Sequence, residues 1–183
     1  MYSNYGFLLL GVIIERVTHQ TYYDHLAATI FKPAGMTGTA SPVEGTLTKG
    51  RVIAYTRDHP GALWTSAAAT LPVRGTSAGG GDSTVIDLIQ FANALASHSL
   101  LDAKHLELLT TGKVDMPRGK YAYGFSDVTE NGVRCVGHSG GAAGMNGDLL
   151  ICDSGYTVAV LSNLDPPAAS RISMFIRARL PAK

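Results

Sequence analysis

Gly137-His138-Ser139-Gly140-Gly141 is the stretch that decides how this chain folds. A β-like segment, Gly132 to Val136, runs into it, so the residues just beyond settle the architecture. A helix after the motif would put Ser139 on a tight strand-to-helix turn. A second strand would make all five residues part of a sheet. The next residues, Ala142-Ala143-Gly144-Met145-Asn146-Gly147, carry two glycines and lead into another β-like segment, Asp148 to Cys152. The motif therefore reads as part of a sheet.

The β pattern continues on both sides. Tyr121 to Phe125 precedes the motif, Tyr156 to Ser162 comes after it, and Asp153-Ser154-Gly155 is the turn between the last two strands. Pro166-Pro167 introduces a closing helix over Ala169 to Arg179. Upstream the period is helical. Helices are expected over Tyr5 to Val17 and over Tyr22 to Phe31, the second capped by Thr21 and stopped at Lys32-Pro33 because proline cannot continue a helix. Two more are expected over Thr84 to Ala96, capped by Asp82 or Ser83, and over Ala103 to Leu109 after Asp102. Val52 to Tyr55 reads as a short strand between loops. The order is α+β within one domain, with residues 1–115 mainly helical and 116–183 forming an antiparallel sheet and closing helix. Such a sheet keeps an open edge beside its first strand, an edge that another chain segment would normally cover.

Composition narrows the function classes. The 183 residues are 45% hydrophobic and 16% charged, with a formal net charge of +1, so there is no basic field for nucleic acid. The longest apolar run, Phe7 to Ile14, is too short to span a bilayer and lacks the flanks of a secretory signal. Taken as written the chain reads as cytoplasmic; an upstream segment would leave a periplasmic or secreted location open. Cys135 and Cys152 fit no zinc spacing and are expected to be free buried thiols, with a disulfide as the alternative. His19 and His25 are poorly spaced for a helical metal pair, and no lysine stands after Gly79-Gly80-Gly81 as a phosphate loop requires. No cofactor or metal is expected.

Gly137 to Gly141 also matches G-x-S-x-G, the nucleophile elbow of α/β-hydrolases. That fold takes its acid and histidine from later in the chain. His138 is the last histidine, so the order cannot be completed after Ser139, and this reading is the weaker one.

A second set of residues fits better. Tyr2-Ser3-Asn4 matches Y-x-N and His138-Ser139-Gly140 matches H-x-G. Between them, in order, stand the apolar helix after Tyr5-Gly6, then Phe31-Lys32-Pro33-Ala34-Gly35-Met36, Ala78-Gly79-Gly80, and Tyr123-Gly124-Phe125. Together these resemble the β-lactamase-related serine hydrolases, the class C β-lactamases, esterases and D-peptidases, across the whole chain but only over their C-terminal portion. The resemblance implies an incomplete β-lactamase/transpeptidase-like fold.

It also implies roles. Tyr2 would be the general base, alone or with the family's motif lysine, and Asn4 would hydrogen-bond the substrate or that lysine. His138 would replace the lysine of the third motif, with Ser139 and Gly140 beside the substrate and the backbone N–H of Gly141 as an oxyanion donor. An ordinary tyrosine titrates at about 10, so the base role needs positive charge nearby. Histidine at the third motif is mostly neutral at neutral pH, which favours ester or peptide substrates over efficient β-lactam turnover.

The family nucleophile lies in S-x-x-K, upstream of the tyrosine. No serine here has lysine three residues later; Thr29, Thr46 and Thr110 do, but none precedes Tyr2. The expectation is a chain without the nucleophile segment, inactive alone, whose partners are a small ester, β-lactam or peptide and either a separate N-terminal segment or further copies of itself. A non-catalytic binding descendant and half of a split enzyme are the rival readings.

Overall fold

The computed structural model describes residues 2–46 and 49–181. α1 spans Asn4–Thr18, capped by Ser3, whose hydroxyl accepts from the Gly6 N–H at 3.2 Å. It ends where His19 turns left-handed at φ 55°. α2, Tyr22–Leu26, is capped by Thr21 as expected. The helix does not stop at Lys32-Pro33. It widens into a π-helical turn, Ala27–Phe31, and continues as α3, Lys32–Ala34. Pro33 has no N–H to give the helical ladder, and the π-helical turn that ends just before it absorbs the interruption. The stop comes at Gly35, φ 72°, whose N–H closes on the Lys32 carbonyl.

Next comes a two-stranded ribbon, β1 Tyr55–Thr56 against β2 Thr65–Ser66, later than the expected strand at Val52 to Tyr55. α4, Val85–Ala96, is capped by Thr84, not by Asp82 or Ser83: the Thr84 hydroxyl takes the Asp87 N–H. The buried Asp87 carboxylate in turn accepts from the Gly38 N–H at 2.8 Å and the Thr39 hydroxyl at 2.6 Å, tying the loop after α3 to α4. α5 spans Ala103–Thr110, with Asp102 as its cap.

The main sheet is antiparallel and in sequence order: β3 Val114–Asp115, β4 Lys120–Tyr121, β5 Ser126–Glu130, β6 Val133–Ala142, β7 Met145–Cys152 and β8 Thr157–Ser162. Tyr121 to Phe125 is not one strand. Gly124 at φ 86° and the Ala122 N–H to Phe125 carbonyl bond fold it into the hairpin between β4 and β5. β5 is an addition to the expected strands, and Gly132 does not begin a strand. Asn131 and Gly132, at φ 52° and 76°, form the two-residue turn that joins β5 to β6. β6 runs on through the whole motif at Gly137 to Gly141. The edge beside the first expected strand is occupied by β3, and among the described residues the long edge without a strand partner is β8, on the other side of the sheet.

Cys135 and Cys152 face each other in the β6–β7 register and form a disulfide, which overturns the expectation of free thiols. Both strands are readable in the sequence; the pairing register that brings the sulfurs together is not. The disulfide lies in the larger core, where Val133, Leu150 and Val158 pack with Ile176 and Leu180. α6, Ala168–Arg177, crosses β7 and β8 over this layer. A second cluster, Ala34, Met36 and Ala94 with Phe31 and Phe91, joins α3 to α4.

α1 carries apolar residues on its exposed faces as well as on its packed one. Leu9, Leu10, Val12, Ile13 and Val17 are between 46% and 73% exposed. A helix that is apolar on all sides is normally buried.

Candidate active site

Two side chains far apart in sequence, Tyr2 and His138, meet on β6 just beyond its last pairing with β5 at Gly137. The Tyr2 ring, just before α1, lies 6.0 Å from the His138 ring and 5.6 Å from Phe7. Both Tyr2 and His138 remain exposed. Asn4 opens α1 and is exposed too. Thus two of the sequence-derived site residues, Tyr2 and His138, are in contact range, and Asn4 stands two residues from Tyr2.

The strand separates the rest by face. Directly opposed residues of an antiparallel pair share a face, and neighbours alternate. His138 pairs with Leu149, and Ser139 with Asp148, so the Ser139 side chain is on the face opposite His138. Ser139 is mid-strand, and β6 leads by a hairpin into β7 with no helix between, so no nucleophile elbow exists here. Gly140 returns to the His138 face, where a Cβ would meet open space. Gly141 lies on the Asn146 face, where a Cβ would come within 2.5 Å of Pro166 Cγ.

The backbone direction of Gly141 is fixed by Asn146. This buried side chain donates from Nδ2 to the Gly140 carbonyl at 2.7 Å. Its Oδ1 accepts the N–H groups of Ala169 and Ser170, at 2.7 and 3.2 Å, at the start of α6. The Gly140 carbonyl therefore points toward β7, and the alternation of strand amides turns the Gly141 N–H to the other edge. β5 pairs with β6 only as far as Gly137, so beyond it that edge has no strand partner among the described residues. An unpaired N–H on an open strand edge is able to donate to a substrate oxygen.

Tyr121 completes the group, and sequence reasoning missed it. Its hydroxyl lies 3.0 Å from His138 Nε2, and its ring meets Tyr2 edge-on at 5.8 Å. Burial, and then the nearby Tyr2, push the Tyr121 hydroxyl pKa above its ordinary value. The only sequence signal was its place at the head of a β-like run. Below the sheet, burial raises the Asp148 carboxyl, against the opposing effects of Ser173, His138 and Arg177. Asp165 accepts the Gly144 N–H at 2.8 Å, and that bond first, with Thr56 and Arg57, holds its pKa down. It thereby pins the β6–β7 turn to the β1 ribbon. Among the described residues no group of three or more His, Cys, Asp or Glu is placed to hold a metal, and no helix is long and apolar enough to cross a membrane.

This geometry has known counterparts. The "Beta-lactamase" family model matches residues 1–183. A penicillin-binding protein from Bacillus halodurans superposes with a TM-score of 0.91 at 27% identity, over 98% of this chain and 56% of that one. A D-stereospecific amidohydrolase from Streptomyces gives 0.82 at 26%, over 100% and 55%. An octameric penicillin-binding protein homologue from Pyrococcus abyssi gives 0.84 at 26%, over 100% and 44%. The chain thus spans about half the length of these solved relatives. With Y-x-N and H-x-G brought together on a β-lactamase/transpeptidase-like α+β fold, the chain belongs to the β-lactamase family, a family of serine-hydrolase type.

Proposed function

We propose that this chain carries one half of an acyl-transfer site for ester, β-lactam or D-amino-acid peptide bonds. Tyr2 serves as general base, Asn4 holds the substrate, His138 and Gly140 line the cleft, and the Gly141 N–H stabilises the oxyanion. Ser139 lies beside the substrate between His138 and Gly140 on β6. The observation that carries this reading is the approach of the Tyr2 and His138 rings, far apart in sequence, to 6.0 Å.

The nucleophile comes from an S-x-x-K segment outside these 183 residues, and the chain alone does not turn over substrate. Loss of the nucleophile costs a serine hydrolase on the order of a millionfold. The exposed apolar α1 and the open β8 edge support a covering segment of the kind that fills the unmatched part of the longer relatives. The octameric relative favours a second reading, in which further copies of the chain cover these surfaces.

Co-expression with the S-x-x-K-bearing portion of a family relative tests the proposal. Hydrolysis of p-nitrophenyl acetate by the co-purified pair, lost on Tyr2→Phe, is expected. A folded pair that binds a boronate or peptide carboxylate without turnover would instead identify a binding module.

A further inference from the structure

We infer that Tyr121 is a positioning residue that fixes the tautomer of His138, leaving the histidine proton on Nδ1. The inference rests on the reading of His138 as a cleft residue. It deepens that reading by specifying what the ring offers a substrate: one neutral donor, suited to a carbonyl or other uncharged acceptor.

The 3.0 Å contact joins the Tyr121 hydroxyl to Nε2, the ring nitrogen farther from the main chain. Two arrangements are possible, O–H donating to Nε2 or Nε2–H donating to oxygen. A phenol oxygen shares its lone pair with the ring, so it donates well and accepts poorly. An unprotonated imidazole nitrogen is a strong acceptor. Among the described residues the hydroxyl has no other hydrogen-bond partner that would take its proton instead. The O–H to Nε2 arrangement is therefore favoured, and the hydrogen bond at one ring nitrogen sets the protonation of the other.

The surroundings agree. Tyr121 is held on β4 by pairing with both β3 and β5, and its ring is edge-on to His138 with centroids 5.8 Å apart. Partial burial and the adjacent Tyr2 keep the proton on the phenol oxygen. Tyr2 lies against both rings, so the three form one contiguous cluster at the open edge of β6.

Imidazole nitrogens of the uniformly 15N-labelled chain are read by long-range proton–nitrogen correlation, at a pH above the histidine range, with His138→Gln assigning the signal. The expected wild-type spectrum shows an unprotonated Nε2 and a protonated Nδ1. In Tyr121→Phe, which keeps the ring packing and removes only the hydroxyl, the two nitrogens exchange character or average. A wild-type His138 protonated at Nε2 would overturn the inference, as would an unchanged pattern in Tyr121→Phe. If that variant does not fold, the wild-type tautomer decides alone. The measurement needs no substrate, so it is separable from the site reading. A tautomer shift in Tyr121→Phe without any change in hydrolysis by the co-purified pair would keep the hydrogen bond and sink the cleft role of His138.

Discussion

Replacing Asn146 with leucine removes a side chain that hydrogen-bonds both the motif strand and the start of α6. Leucine branches at the same carbon but is bulkier, so some overpacking adds to the lost polar contacts. Asn146 is only 5% exposed. It satisfies the Gly140 carbonyl at 2.7 Å and the Ala169 and Ser170 N–H groups at 2.7 and 3.2 Å. α6 has no cap of its own, because Pro167 precedes it and provides no side-chain acceptor. Each lost bond is worth about 1 kcal/mol net, and a group left buried without a partner costs about 1–3 kcal/mol. Ala169 is fully buried, whereas Gly140 and Ser170 reach water more easily. The apolar leucine recovers part of the loss through burial, roughly 1–2 kcal/mol. The net expectation is a destabilisation of about 2–4 kcal/mol. Urea unfolding reads the total, and amide exchange at Ala169, Ser170 and Gly141 reads its location. A loss below about 1 kcal/mol, or one that leaves exchange at Ala169 unchanged, would refute the linkage.

Other changes test separate parts of the structure. Reduction of Cys135–Cys152, or Cys152→Ser, opens a loop closed over a sequence separation of 17 and is expected to cost about 3 kcal/mol; an unchanged unfolding midpoint under reductant would contradict it. Gly11→Ala should destabilise by about 1–3 kcal/mol although alanine is the better helix former, because the new Cβ would lie within 2.8 Å of the Ser77 Cβ; a rise in Tm would show that this approach is not tight. Asp148 gives a pH test. Its folded pKa is raised, first by burial, so the folded state binds the proton more tightly than the unfolded one. The penalty is absent below the unfolded carboxylate pKa and grows as pH rises toward the folded one. Asp148→Asn should therefore raise Tm at neutral pH and lose that advantage in acid; equal Tm values for both proteins at neutral pH would reject the assignment.

Much of the fold is legible because its signals are local. The amphipathic period of α4, the caps Thr21 and Asp102, and the alternation of β7 each depend on neighbours in sequence. The differences have separate causes. The helix through Pro33 survives by widening into a π turn, which depends on register and leaves no compositional mark. The hairpin at Asn131-Gly132 does carry a local signal in its Asn-Gly pair, and that turn chemistry overrides a strand starting at Gly132. The disulfide requires the β6–β7 register, which sets Cys135 opposite Cys152.

The site is legible where short motifs mark it and silent where only folding assembles it. Tyr2 and His138 stand out through their spaced partners Asn4 and Gly140. Tyr121 acts through a contact across the sheet, and Asn146 through contacts to a strand on one side and a helix on the other. Neither carries a sequence pattern of its own. Ser139 shows the converse. Its motif looks catalytic, yet strand alternation turns its side chain from the His138 face.

The most direct test of the central claim is covalent labelling with a fluorophosphonate, read by peptide mass spectrometry, on the 183-residue chain alone and after the S-x-x-K segment is supplied. No labelled serine and no p-nitrophenyl acetate hydrolysis are expected from the chain alone. With the segment present, the label should fall on the supplied serine. A label on Ser139, or on any serine of this chain, together with turnover would contradict it.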